Sequence, residues 1–406
     1  MTRWLSVIGI GEDGLAALSP VARTLVETAQ TLVGGARHLA MVPEGAAERL
    51  LWRQPLADTI ADIAARRGTR LAVLASGDPL WYGVGAVLLR HFRREEVTIL
   101  PQPSAFSLAA ARLGWALAEC ATLSLHGRPL DGLRLHLAPG RRCLLLSEDR
   151  TTPRRVAGLL AATGWGPSRM RVFEHLGGKH EAVQDRTAQD WGERDCADLN
   201  TIALECEMTP GTRPLSRLAG LPDDAFEHDG QLTKREVRAV TLARLAPLPG
   251  ERLWDIGAGC GSIAIEWLRA TEGGAAVAIE QNPERAAIIA RNAAALGVPG
   301  LRMVAGAAPQ ALAKIPPELA RPDAIFVGGG IAEPGLLPAM WAALRPGGRL
   351  VVNVVSLEGE RAILDWQARQ GGELTRLALS RLEPLGGHHV WRPLLPVTQL
   401  ATTKPG

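Results

Sequence analysis

Apolar residues along this chain fall into short runs separated by longer amphipathic stretches, and the alternation occurs twice. In the first half, residues 4–10, 70–75, 97–100, 142–146 and 201–204 are apolar runs of strand length. The stretches between them have helical spacing. One opens at Ser19-Pro20, a capping serine followed by a proline at the first helical position. Strands separated by helices predict a mostly parallel α/β sheet. Residues 208–224 lose the periodicity and carry Pro210, Gly211, Pro214, Gly220 and Pro222, which marks a linker. The pattern then restarts. A helix is predicted over 234–245, a strand over 252–256, a glycine loop, and a helix over 262–270. Further strands are predicted over 275–279, 301–304, 324–327 and 349–355, with a helix over 283–296. This order predicts an open doubly wound sheet, with its ligand at the carboxyl ends of the strands.

A length of 406 residues fits two or three domains. The apolar fraction of 47% and charged fraction of 21% are those of folded domains that bury full cores. No apolar run is long enough to span a bilayer and no secretory leader is evident, so a soluble, cytoplasmic protein with no membrane partner is expected. The five cysteines, Cys120, Cys143, Cys196, Cys206 and Cys260, form no CxxC pair. Neither a disulfide framework nor a metal site is expected from them. The net charge of +3 is mild, the arginine pairs are scattered, and aromatic residues make up only 4%, which disfavours nucleic acid as a partner. Of the 45 basic residues only Lys179, Lys234, Lys314 and Lys404 are lysines. Codon usage is the plainer source of that bias, but guanidinium groups also grip carboxylates bidentately. Arg37, Arg128, Arg150, Arg345 and Arg381 fall near predicted loops and are candidate carboxylate ligands.

The chemistry lies in two sets of glycine motifs. In the second half, Trp254-Asp255-Ile256-Gly257-Ala258-Gly259-Cys260-Gly261-Ser262 joins a strand to a helix. Glycines there let backbone approach a ligand. Glu280 ends the next strand about twenty residues on, where an acid accepts ribose hydroxyls. The spacing Asp-x-Gly-x-Gly-x-Gly differs from the dinucleotide fingerprint and is the form found in methyltransferases. In the first half, Val7-Ile8-Gly9-Ile10-Gly11 precedes Ala75-Ser76-Gly77-Asp78-Pro79-Leu80-Trp81-Tyr82-Gly83 and then Pro103-Ser104-Ala105-Phe106-Ser107.

These three N-terminal motifs in order resemble the tetrapyrrole methylase family, a two-lobed α/β fold. Leu123-Ser124-Leu125-His126-Gly127-Arg128 and Phe173-Glu174-His175-Leu176-Gly177-Gly178-Lys179-His180-Glu181 resemble its precorrin branch. His126 is a candidate base or substrate contact, though a histidine after a strand is more often structural. Residues 229–355 resemble the Rossmann-like, class I precorrin decarboxylating methyltransferase domain. The resemblance is carried by Gly230-Gln231-Leu232-Thr233-Lys234-Arg235-Glu236-Val237-Arg238 and Pro322-Asp323-Ala324-Ile325-Phe326-Val327-Gly328-Gly329-Gly330. One departure is Gly306-Ala307-Ala308-Pro309, where the family usually has Gly-Asp-Ala-Pro.

The resemblance implies a tetrapyrrole methylase domain over 1–208 with lobes of about 1–118 and 119–208, a linker over 209–224, and a second methyltransferase domain over 225–406. It excludes the linker and the tail after about residue 379. It implies one S-adenosylmethionine site per domain. Gly9, Gly11, Ser76, Gly77, Asp78, Pro79, Ser104 and Ala105 are implied in the first. Thr233, Asp255, Gly257, Ala258, Gly259, Cys260, Gly261, Glu280 and Ala308 are implied in the second. The domain order implies methylation of a polycarboxylate tetrapyrrole at carbons 5 and 15, with loss of carbon dioxide from the ring C acetate, in cobalamin biosynthesis. The same chemistry on a cobalt-loaded macrocycle and, more remotely, RNA methylation are the alternatives. No catalytic side chain is singled out, because the methyl donor is already activated and positioning carries the reaction. Both domain types resemble homo-oligomers, the tetramer among them.

Overall fold

A computed structural model describes residues 3–406. The chain divides into two compact units. One runs to Leu130 and resumes over His136–Thr212; the other comprises Asp131–Leu135 and Arg213–Gly406.

The N-terminal unit contains two sheets. The first is built from β1 (Leu5–Ile10), β2 (Thr31–Gly34), β3 (Glu48–Leu51), β4 (Leu71–Ser76) and β5 (Val97–Leu100), in the order β3-β2-β4-β1-β5. Every pair is parallel. Strand β1 is buried along its whole length, as a central strand covered on both faces must be. One face packs Trp4, Val7, Val33 and Val73; the other packs Ile8, Ile10, Leu32 and Leu74. Ser19 caps helix Pro20–Glu27, its hydroxyl accepting the Ala22 N–H.

The second sheet comprises β6 (Cys120–Ser124), β7 (Arg142–Leu146), β8 (Arg169–Glu174), β9 (Ala182–Thr187) and β10 (Asn200–Glu205), ordered β6-β7-β10-β8-β9. Only β6 and β7 pair in parallel; the other three pairings are antiparallel. This departs from the mostly parallel sheet expected for the whole first half. Residues 175–181 and 188–199 contain no helix. A parallel return needs a crossover of a dozen or more residues, usually helical, whereas an antiparallel one does not.

The C-terminal unit holds β11 (Arg252–Ile256), β12 (Ala275–Glu280), β13 (Arg302–Ala305), β14 (Ala324–Val327), β15 (Arg349–Val354), β16 (Glu373–Leu377) and, after a separate hairpin of β17 (Ser380–Leu385) and β18 (His388–Pro393), β19 (Val397–Thr403). The seven-stranded order is β13-β12-β11-β14-β15-β19-β16. The first five strands are parallel, and β19 runs antiparallel to both neighbours. The strand order reverses direction between β11 and β14, which opens a crevice at their carboxyl ends. His388 and His389 lie on the hairpin strand β18.

A buried ion cluster anchors the segment that leads into this unit. The Arg238 guanidinium is fully buried. Its Nε donates to Glu266 Oε1 at 2.9 Å and its Nη1 to Asp223 Oδ1 at 2.9 Å. It also donates to the Thr233 and Leu221 carbonyls and stacks 4.8 Å from the Phe226 ring. Glu266 in turn accepts the backbone N–H groups of Gly220 and Leu221. One side chain thereby holds residues 220–233 against helices Arg235–Leu245 and Ser262–Ala270. Arg238→Met leaves the buried Glu266 carboxylate without its cation, while Asp223 keeps Arg381. It should lower the stability of the C-terminal unit by about 3–5 kcal/mol in a denaturant titration, and adding Glu266→Gln and Asp223→Asn should restore part of that loss.

Candidate active sites

In the C-terminal unit, the turn after β11 is forced close to the chain. Gly257 has φ +69°, and a Cβ there would lie 2.9 Å from Gly329 Cα. Glu280, at the end of β12, is buried, and its two carboxylate oxygens accept the N–H groups of Gly259 and Asn282, each at 2.9 Å. Each oxygen retains lone-pair capacity for a further donor. Asp255 lies under the turn and accepts the Ala264 N–H at 3.0 Å through Oδ2. Its Oδ1 is buried without a partner. Burial pushes the Asp255 carboxyl up to about 7; the Ala264 bond opposes this and the Glu280 charge adds to it.

These elements wall a cavity of about 970 Å³, near the top of the range of roughly 300–1,000 Å³ for small-molecule sites. Thr233, Gly257, Ala258, Gly259, Cys260, Glu280 and Ala308 line it. Asp255 and Gly261 stand behind the wall. Gly261 packs on Ile289, where a Cβ would come within 2.9 Å of the side chain. Ala307, in the departure from the usual acid, also lines the cavity, as do Gln231, Lys234, Gly328–Gly330 and Asn353. Sequence reading gave Asn353 no role, because an isolated polar residue inside a strand carries no spacing signal.

In the N-terminal unit, the turns after β1, β4 and β5 converge on a cleft of about 110 Å³. Gly11, Ser76, Gly77, Asp78, Ser104 and Ala105 line it, with Phe173, Leu176 and Asn200 from the second sheet. Gly9 lies behind them, with its Cα facing the Gly77 carbonyl and 2.7 Å separating a would-be Cβ from Gln102 N. Pro79 also stands behind, its carbonyl accepting the Gly85 N–H at 2.9 Å. Asp78 Oδ1 accepts the Leu80 N–H at 2.8 Å.

A charged cluster borders this cleft that the glycine motifs did not announce. Glu12 pairs with Arg37 and accepts from His175 Nδ1 at 3.1 Å. Burial pushes the Glu12 carboxyl up, but the bonds to His175 and Arg37 and their charges bring it below the ordinary value. Arg37 Nη2 also reaches His38 Nε2 and Ser76 Oγ, both at 3.0 Å. A guanidinium only donates, so His38 Nε2 accepts and carries no proton. Burial, then the Arg37 charge, push His38 down to about 4. Of the candidate arginines, Arg37 lines one of these two cavities and the other four line neither. Arg345 pairs with Asp323 and Glu251, Arg381 with Asp223 and Glu236, and Arg128 stacks on Tyr82. Arg150 is exposed. His126 is exposed too and stands outside the cleft lining.

The state of Asp255 makes stability depend on pH. An unfolded aspartate titrates near pH 4, so a native value of about 7 means the fold holds the proton more tightly. That contribution is complete below about pH 4 and is lost as pH rises through about 7. Without donor, the C-terminal unit should be about 2–3 kcal/mol less stable at pH 8 than at pH 5 from this group. Asp255→Asn should flatten that slope in urea titrations at the two pH values.

Residues 5–191 match the model of the tetrapyrrole (corrin/porphyrin) methylases, and residues 224–404 that of the precorrin methyltransferase domain. The second match runs through β16–β19, so the resemblance extends past residue 379, where it was expected to end. A precorrin-6Y C(5,15)-methyltransferase (decarboxylating) of Sinorhizobium sp is 49% identical over 404 residues, covering 99% of this chain and 96% of its own. A cobalt-precorrin-7 C(5)-methyltransferase of Salmonella typhimurium is 36% identical over 44% of this chain and 88% of its own. A probable cobalt-precorrin-6B C(15)-methyltransferase (decarboxylating) of Pyrobaculum aerophilum is 36% identical over 44% of this chain and 92% of its own. With two glycine-walled cavities on one chain and near-complete coverage by a relative of similar length, the chain belongs to the precorrin-6Y C(5,15)-methyltransferase (decarboxylating) family.

Proposed function

We infer that this chain is an S-adenosylmethionine-dependent methyltransferase of cobalamin biosynthesis. It methylates precorrin-6Y at carbons 5 and 15 and removes carbon dioxide from the ring C acetate. The N-terminal domain serves carbon 5; the C-terminal domain serves carbon 15 and the decarboxylation. The observation that carries this reading is the presence of two separate cavities, each with its own glycine turn. The half-length relatives are named for the separate carbon 5 and carbon 15 reactions. They are also named for cobalt-loaded substrates, whereas the full-length relative is named without cobalt, which favours the metal-free macrocycle.

The residues present fit one donor in each domain. Gly257 and Gly9 sit where a Cβ would strike backbone, so ligand and chain can approach closely. The donor supplies the methyl group at an activated sulfonium carbon. In the C-terminal site Glu280 would hold the ribose hydroxyls, and Thr233, Gly257, Ala258, Gly259, Cys260 and Ala308 would form the cradle. Asp255 and Gly261 would support that cradle from behind. In the N-terminal site Gly11, Ser76, Gly77, Asp78, Ser104 and Ala105 would form it, with Gly9 and Pro79 behind. The proposed domains are 1–208 and 225–406, joined by 209–224. The proposed setting is a cytoplasmic homo-oligomer with neither a resident metal nor a nucleic-acid partner. Among the described residues no helix is long and apolar enough to cross a membrane.

Mass spectrometry of the product formed from donor and metal-free precorrin-6Y, in its reduced form, tests this reading. Two methyl groups gained and one carbon dioxide lost is the expected result. Glu280→Ala should slow carbon 15 methylation and carbon dioxide loss together, by about tenfold to a hundredfold. Asp78→Ala should leave a decarboxylated product lacking the carbon 5 methyl. An unchanged macrocycle alongside bound donor would contradict the assignment.

A further inference from the structure

The C-terminal cavity has two chemically different ends. One is the glycine turn with Glu280. The other is walled by β15, the residues after β14 and the segment before β19, including Ile331, Val354, Val355, Leu394 and Leu395. Among the described residues, no arginine, lysine or histidine from these elements lines the cavity. Its two lining cations are Lys234, in the lead-in segment, and Arg285, on helix Pro283–Ala295 and paired with Asp229 at 2.7 Å.

Asn353 interrupts this apolar wall. Its Nδ2 donates to Thr241 Oγ1 at 2.9 Å, and its Oδ1 accepts from Gln399 Nε2 at 2.8 Å. Gln399 Nε2 also donates to Thr241 Oγ1 at 3.1 Å, and Thr241 gives its own proton to the Val237 carbonyl at 2.8 Å. That commitment fixes both amides. The Thr241 oxygen has no proton left to give, so it can only accept, and both amide nitrogens must face it. Gln399 is almost completely buried, and its Oε1 has no partner. The network leaves Asn353, a cavity-lining residue, with one unspent N–H.

We propose that this end of the cavity is the decarboxylation subsite and that the Asn353 amide receives the ring C acetate carboxylate; the inference rests on the function proposed above. Loss of carbon dioxide requires the carboxylate to surrender its charge. A guanidinium would bind the charged ground state more strongly than the transition state and so oppose the step. An amide N–H orients the group with a weaker hold, and the apolar wall places no cation beside it. Once a methyl has joined the ring carbon, the conjugated macrocycle is cationic. The bond between the acetate methylene and its carboxyl carbon then breaks. Carbon dioxide leaves and the bonding pair enters the macrocycle. The methylene becomes a methyl by gaining one proton, balanced by the proton released from the newly methylated carbon. No oxidant or reductant is consumed.

The full chain, with S-adenosylmethionine and reduced metal-free precorrin-6Y, provides the test. Mass spectrometry reads carbon 15 methylation and carbon dioxide loss separately. In the wild type the two run together. Asn353→Ala should slow carbon dioxide loss about tenfold to a hundredfold more than it slows methylation. A methylated product one carbon dioxide heavier should therefore accumulate. Leu395→Arg, at a position 78% exposed on the same wall, brings in a guanidinium without disturbing the core and should accumulate the same product. The subsite is overturned if either variant releases carbon dioxide in step with methylation. It is equally overturned if Asn353→Ala loses both in equal measure, which would assign the network to structure. A wild type that leaves the macrocycle unchanged contradicts the functional reading instead.

Discussion

Backbone pressed against backbone is the constraint on which both halves of this protein depend. Gly257 against Gly329 and Gly9 against Gly77 leave no space for a Cβ. In each case a strand ends in a turn that lies flat at the rim of a sheet. A side chain at either position would push the two backbone segments apart and displace the turn that lines the cavity. Parallel strands make the arrangement possible, because all their carboxyl ends, and hence all their turns, fall on one edge. Glu280 shows how tightly the rest is tied to this constraint. Its carboxylate fastens the glycine turn to the start of the next helix through Gly259 and Asn282.

Charge is distributed according to what each part must do. Arg238 is buried with Glu266 and Asp223, and its work is to hold residues 220–233 in place. Such clusters add specificity of structure more than net stability. At the N-terminal cleft the charges face the cavity instead: Glu12 and Arg37 neutralise one another, and burial with the Arg37 charge keeps His38 uncharged against the pull of Glu12. The far end of the C-terminal cavity is different again, with amide and hydroxyl groups but no cation from its walls. A reaction that ends by discarding a carboxylate is better served by that neutrality than by a salt bridge.

Strands β1, β4, β5, β7 and β10–β15, the two glycine turns and the two-domain order were legible in the sequence because each has a local signature, whereas β2, β3, β6, β8, β9 and β16–β19 were not predicted. Apolar runs mark buried strands, and Gly257 and Glu280 sit at a spacing that one strand-turn-helix unit imposes. The antiparallel pairing of the second sheet was not legible, since an apolar run such as β10 reads the same whichever way it runs, and β9 is mostly polar and exposed. Nor was the Thr241–Asn353–Gln399 network, whose members are separated by 112 and 46 residues. Arginine composition misled in a different way. Arg345 and Arg381 have the expected chemistry, but each meets its carboxylates within the protein. Only the fold determines which arginines remain to face a cavity.

The proposed function requires two independent donor sites on one chain. Titration of the full-length protein with S-adenosylmethionine by calorimetry tests it most directly. Two donor molecules should bind per chain. A single molecule per chain would contradict it and would mean that one of the two cavities does not bind the donor.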